Sequence, residues 1–158
     1  MIEVPWEEPG PICERSSVVL QFCRPARQRH GRHPNLTGQK EVPLESSALA
    51  RRIVDLLVEK KATDTLLLDI REISLLADYF VITTGEVDRQ IEAMVEELSE
   101  TLKHEGRVIP LRVEGEASSG WVLMDYGSVV VHLFSPAMRD YYRLEDLWKN
   151  ARVLVRIQ

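Results

Sequence analysis

The stretch Asp78-Tyr-Phe-Val-Ile-Thr-Thr-Gly85 and the residues that follow it decide the fold. The first part is an aromatic and β-branched run that predicts a buried strand ending at Gly85. From Asp88 to Gly106, apolar residues recur at helical spacing, at Ile91, Met94, Val95, Leu98 and Leu102. This pattern predicts a long amphipathic helix. A buried strand followed by such a helix is typical of a sheet with helices packed on it.

The flanking residues extend this unit in both directions. A helix is predicted from Ser46, and another from Pro136 through Trp148. The other predicted strands are Thr65–Ile70, Val108–Val113, Trp121–Asp125 and Val129–Phe134. Pro110 interrupts the second of these and favours an edge position or a bulge. Together these elements predict an α/β (α+β) fold with a mixed five-stranded sheet flanked by helices.

Residues 1–45 differ in composition from the rest of the chain. They contain six of the eight prolines, and all six charged residues between Arg15 and Lys40 are basic. We predict a flexible N-terminal extension over 1–45 and one folded domain over 46–158. An RNA contact by the basic stretch is an alternative. A translation start upstream of the natural one is another.

Charge and composition exclude several classes of protein. No apolar run approaches the roughly 18 residues of a membrane span, and the acidic residues Glu3, Glu7 and Glu8 argue against a secretory signal. Two cysteines are too few for a disulfide framework, which favours a reducing compartment. The whole net charge of -5 arises after residue 45. An acidic domain suits a basic protein partner better than a nucleic acid.

No set of residues completes a catalytic or metal site. A zinc set of Cys13, Cys23, His30 and His33 has unfavourable spacing for a compact zinc module. His132 lies in an apolar strand and is interpreted as a hydrogen-bonded core residue. We therefore expect neither a cofactor nor a metal.

Three carboxylates raise the alternative of a nucleotidyltransferase. Glu114 and Glu116 are expected on a loop after a strand, and Asp125 ends the next strand. Two-metal nucleotidyl transfer needs clustered carboxylates of this kind. However, the chain contains no Asp-x-Asp pair, and Glu86 at the Thr84-Gly85-Glu86 turn would repel a triphosphate. We interpret the arrangement as a shared fold without the chemistry, and expect no enzyme.

A binding function is the remaining interpretation. Trp121 follows the small-residue loop Ala117-Ser-Ser-Gly120, and most aromatic residues of the domain lie in its last forty residues. Tryptophan is a frequent interface anchor, although a core position is the alternative. Strand pairing between two copies through an exposed edge is a further binding possibility.

Six segments in order resemble the ribosomal silencing factors, also called the Iojap family. They are Ala77-Asp-Tyr-Phe-Val-Ile-Thr-Thr-Gly85, Asp88-Arg-Gln90, Arg112-Val-Glu-Gly115, Gly120-Trp-Val-Leu-Met-Asp-Tyr-Gly127, Val129-Val-Val-His-Leu-Phe134 and Arg139-Asp-Tyr-Tyr-Arg-Leu-Glu-Asp-Leu-Trp148. The resemblance implies a nucleotidyltransferase-like fold without that activity. It also implies binding to the large ribosomal subunit through universal ribosomal protein uL14. Such binding blocks an intersubunit bridge and small-subunit joining, and so represses translation.

The resemblance further implies a homodimer when free and, for bacterial members, a cytoplasmic location; related proteins serve organelles. It places the partner-binding surface around the strand that begins at Trp121, with Met124, Asp125, Tyr126, Arg139 and Tyr142 as the other candidates. Three hypotheses stay open at this point. They are a ribosome-binding silencer, a nucleotidyltransferase with an unusual metal site, and a dimeric scaffold for another protein.

Overall fold

A computed structural model describes residues 45–158. The predictions for the N-terminal extension, including its RNA contact and the zinc set, lie outside these residues. The helices are α1 (Ser46–Glu59), α2 (Asp88–Gly106), α3 (Pro136–Tyr142) and α4 (Leu144–Leu147). The strands are β1 (Thr63–Asp69), β2 (Tyr79–Thr84), β3 (Arg112–Glu116), β4 (Trp121–Asp125), β5 (Val129–Phe134) and β6 (Arg152–Ile157).

The strands form one mixed sheet in the order β3-β4-β5-β2-β1-β6. Only β2 and β5 are parallel, with Tyr79 beside Val129 and Thr84 beside Phe134; the other neighbours are antiparallel. The α2 helix belongs to the connection between β2 and β5, as a parallel pair requires. The predicted mixed α/β fold is confirmed.

The strand count was wrong by one, because the chain after Trp148 forms β6 on the outer side of β1. Val155 of β6 lies opposite Leu67 of β1. β6 contains two arginines, and none of its apolar residues is fully buried. Such a strand is difficult to distinguish from a polar tail, since its stability comes from pairing with β1 rather than from its own pattern.

The main core lies between one face of the sheet, here called the helix face, and the helices α1 and α2. On α2, Ile91, Met94, Leu98 and Leu102 are buried at the predicted spacing. Strand residues at alternate positions, such as Val131 and Leu133 of β5, complete this core. The intervening residues of the strands point to the opposite face.

The C-terminal segment lies on that opposite face, here called the aromatic face. The single helix predicted from Pro136 through Trp148 was wrong. Arg143 adopts a left-handed conformation with φ 43° and separates α3 from α4. This break ends α3 after Tyr142, whose ring contacts Trp121, while Trp148 contacts Phe80.

The strand predicted at Val108–Val113 is displaced toward the C-terminus. The structure has β3 at Arg112–Glu116, so Pro110 precedes the strand and Glu114 and Glu116 lie within it rather than on a loop. Gly115 makes this possible, because its φ of 85° is unfavourable for other residues. A Cβ atom at this position would collide with the carbonyl oxygen of Trp121.

Among residues 45–158, no helix combines the length and apolar character that a membrane span requires.

Candidate partner-binding site on the aromatic face

A cluster of rings covers the aromatic face and is here called the aromatic patch. Its members are Phe80, Trp121, His132, Phe134, Tyr142 and Trp148. Strands β2, β4 and β5 supply four of the rings, and the C-terminal segment supplies the other two. The alternation of strand side chains therefore brings together residues that are far apart in the sequence.

Trp121 is the half-buried centre of the exposed part of the patch. Its ring stacks on Phe134, the residue opposite it on β5, with centroids 5.0 Å apart. Tyr142 contacts the same indole at 4.7 Å. The indole Nε1 is buried and has no hydrogen-bond partner in the described part of the chain. Trp121 is thus held by its neighbours while part of its surface stays open to solvent.

His132 lies beneath the exposed rings and is only 5 % exposed. Phe80 and Phe134 contact its ring at centroid distances of 5.1 Å and 6.1 Å. Neither ring nitrogen has a hydrogen-bond partner among residues 45–158. The core interpretation of His132 was therefore correct, but the expected hydrogen bond is absent from the described structure. Burial without a partner disfavours the imidazolium and lowers the pKa of His132 to about 3.

Arg139 is 8 % exposed and engages groups of the protein itself. Its Nη1 donates to the carbonyl oxygen of Asp64 at 2.5 Å and to the Thr84 hydroxyl at 2.7 Å. Its Nε donates to the Glu145 carboxylate at 2.6 Å, and Nη2 lies 3.2 Å from an Asp64 carboxylate oxygen. Arg139 therefore links the start of β1 to the segment of α3 and α4 that carries Tyr142 and Trp148.

The three remaining candidates on β4 and its turn have internal roles in this structure. Met124 is fully buried in the core of the helix face, and Tyr126 is 8 % exposed in the same core. Burial raises the pKa of the Tyr126 phenol. Asp125 accepts a 2.7 Å hydrogen bond from the N–H of Gly127 and so stabilises the hairpin turn. Of the six candidates, the structure brings Trp121 and Tyr142 together as partly exposed rings.

The carboxylates that suggested nucleotidyl transfer have local partners. Ser118 donates to Glu116, and Glu114 lies 3.9 Å from an Arg112 guanidinium nitrogen. Within residues 45–158, no three His, Cys, Asp or Glu side chains are grouped so that they could hold a metal ion.

Sequence reasoning missed the partners of Arg139 and the contribution of Phe80 to the patch. Asp64 precedes Arg139 by 75 residues, so no local spacing reveals the contact. Glu145 follows it by six residues, and the left-handed Arg143 between them turns the chain back. The one signal in the sequence was the position of Arg139 in a segment rich in aromatic residues. An arginine that is buried in such a segment needs polar partners elsewhere in the fold.

The fold and the patch define a class of protein, a mixed α/β domain that presents partly exposed aromatic rings on one sheet face. A profile of the family described as "Ribosomal silencing factor during starvation" matches residues 43–158. The chain is 43 % identical over 93 residues to the ribosomal silencing factor RsfS of Bacillus subtilis, which covers 59 % of this chain and 78 % of that relative.

The same comparison extends to a second relative and to a solved structure. The chain is 38 % identical to the RsfS of Halalkalibacterium halodurans over 68 % of this chain and 92 % of the relative. A crystal structure of a Chromobacterium violaceum protein superposes with a TM-score of 0.63 at 35 % identity, covering 66 % of this chain and 87 % of that one. The chain belongs to the ribosomal silencing factor family, which confirms the resemblance seen in its sequence.

Proposed function

We propose that this protein binds the large ribosomal subunit through ribosomal protein uL14, obstructs an intersubunit bridge and prevents the small subunit from joining. The family match supports the silencing role, and the partly exposed Trp121 on a fixed base of rings is the structural observation that carries the contact. The proposed action is steric, so it needs no catalytic group and no cofactor. A cytoplasmic, bacterial setting and a homodimer in the free state belong to the same proposal.

The patch has the physical properties of an interface anchor. Phe134 and Tyr142 hold the Trp121 ring, so little side-chain entropy remains to be lost when a partner covers it. Large aromatic side chains on a preorganised base account for much of the affinity in many interfaces. We assign direct contact to Trp121 and Tyr142, and support of the surface to Met124, Asp125, Tyr126 and Arg139.

Electrostatics favours a basic protein as the partner. Residues 46–158 hold nineteen acidic and fourteen basic side chains, so the domain carries a net charge that attracts cationic surfaces. Ribosomal proteins offer such surfaces, whereas phosphate groups are repelled. The basic stretch between Arg15 and Lys40 is proposed as an additional contact to ribosomal RNA.

Replacing Trp121 with alanine is expected to weaken binding to purified large subunits by about 2 kcal/mol or more, close to thirtyfold. Cosedimentation at several subunit concentrations measures the change. Leu75→Ala removes a fully exposed apolar side chain from the loop between β1 and β2 and serves as the matched control. Because Trp121 packs on Phe134 and Tyr142, the melting temperature of each variant must be measured alongside. Unchanged binding by a folded Trp121→Ala protein would contradict the assignment.

A competition experiment tests the uL14 contact separately. Purified uL14 is expected to displace the protein from large subunits, and the Trp121→Ala variant is expected to bind isolated uL14 weakly. Subunit joining, followed by light scattering, is expected to be inhibited by the wild-type chain and much less by this variant. Binding to large subunits with no affinity for isolated uL14 would contradict the proposed contact while leaving ribosome binding intact.

A further inference from the structure

A groove of about 400 Å³ lies between α2 and the edge of the sheet, on the helix face and away from the aromatic patch. Its apolar lining includes Val95 of α2, Val113 of β3 and Val122 of β4. Val113 is 46 % exposed, although its cross-strand neighbour Met124 is fully buried. The helices therefore leave part of the helix face uncovered at β3. An exposed apolar surface of this kind is typical of a site that binds a partner.

The strand beside the groove has an open edge. β3 is the terminal strand of the sheet, so in the described part of the chain one of its sides has no strand partner. Its residues are exposed except for Glu114. An open edge presents backbone N–H and C=O groups with which an extended peptide pairs as an additional strand.

The rim of the groove is acidic. Glu92 and Glu96 of α2 and Glu116 of β3 all line it, and all three are exposed. Salt bridges elsewhere in residues 45–158 involve other carboxylates, such as Glu97 and Glu105. Glu92 and Glu96 are four positions apart on one helix, where like charges repel. A cationic occupant relieves this repulsion, whereas a nucleic-acid phosphate increases it.

We propose that this groove is a docking site for a basic, extended peptide segment of a partner protein. The segment pairs with the open edge of β3 and places an aliphatic side chain against Val95, Val113 and Val122. Lysine or arginine side chains two positions before and two positions after that residue point to the same face of the sheet and meet Glu92 and Glu96. The site is on the opposite face of the sheet from Trp121, so the proposal goes beyond the function above and does not depend on it.

Fluorescence anisotropy with the full chain and a labelled peptide, Thr-Lys-Thr-Val-Thr-Lys-Thr, tests the proposal, because its valine and both lysines lie on one face of an extended strand. We expect saturable binding that is roughly tenfold weaker for the Glu92→Gln/Glu96→Gln double variant. The control double variant Glu72→Gln/Asp140→Asn makes the same charge change at exposed positions outside the groove and is expected to bind like wild type. A peptide with glycine in place of the valine is expected to bind at least tenfold more weakly, because the apolar contact is lost.

Three results would overturn the docking site. The first is no saturable binding of the lysine–valine peptide at low salt. The second is an equal loss of affinity in both double variants, which indicates general charge attraction. The third is equal binding of the glycine peptide, which excludes the apolar lining. Trp121→Ala is expected to leave peptide binding unchanged, so failure of this site and failure of the ribosome contact are distinguishable.

Discussion

Lowering the pH from 6.5 to 4.5 is expected to reduce the free energy of unfolding by about 2 kcal/mol through His132 alone. The folded protein holds the pKa of His132 at about 3, against an ordinary value of 6.5, because its imidazole is buried and has no hydrogen-bond partner among residues 45–158. Between these two values the unfolded chain binds a proton that the folded protein does not. The contribution of the neutral His132 imidazole to the free energy of unfolding is therefore fully present above pH 6.5, and it decreases as the pH falls toward 3.

Urea unfolding curves of the His132→Leu variant at several pH values test this expectation. Leucine cannot titrate, so the variant is expected to lose the part of the pH dependence that His132 causes. His104→Gln replaces an exposed histidine at the end of α2 and serves as the matched control. An NMR titration in which the His132 ring gains a proton above pH 5 in the folded protein would contradict the prediction.

Replacing Arg139 with methionine is expected to lower the free energy of unfolding by about 3 kcal/mol, the lower end of the range for a broken buried ion pair. Methionine keeps the unbranched apolar stem of the side chain but leaves Asp64 and Glu145 without their shared cation. Both carboxylates retain some hydration, with side-chain exposures of 43 % and 29 %. For this reason the upper end of the range is not expected.

Denaturant unfolding and near-ultraviolet circular dichroism check the Arg139→Met variant together. The aromatic signal is expected to change, since Arg139 holds the segment that places Tyr142 against Trp121. Arg143→Gln is the control, because the Arg143–Asp146 pair is largely exposed and is expected to contribute less than about 1 kcal/mol. If the two variants are equally stable, Arg139 does not act as an internal link.

The order of apolar and polar residues was sufficient to predict an element wherever its buried residues recur at the regular spacing of a helix or a strand. The apolar spacing from Ile91 to Leu102 predicted α2, and the runs of β2, β4 and β5 were predicted at their observed bounds or within one residue. The errors lie where local preference and tertiary pairing disagree. β6 depends on pairing with β1, and β3 depends on the positive φ of Gly115. The last helix was predicted without the break at Arg143, a residue type that rarely adopts a left-handed conformation.

Only part of the candidate site was predicted, because the sequence pattern indicates strands but not how they pair and pack. Trp121 was singled out because a tryptophan at a loop–strand junction suggests an anchor, and its partial exposure is consistent with that role. The sequence did not reveal that Met124, three residues further along on the opposite face of β4, is fully buried. A prediction of strand alternation alone does not say which face a layer of helices will cover.

The amino-acid order alone determined the elements of the core, the acidic character of residues 46–158 and the family to which the chain belongs. These properties depend on side-chain type and spacing along the chain. Tertiary structure decided that Arg139 links Asp64 to Glu145 and that Trp121 and Tyr142 share a surface. It also decided that His132 lies beneath the patch with no hydrogen-bond partner in the described part of the chain. Those contacts join residues brought together only when β4 and β5 pair and the C-terminal segment packs on them. Spacing along the chain carries no information about such distances.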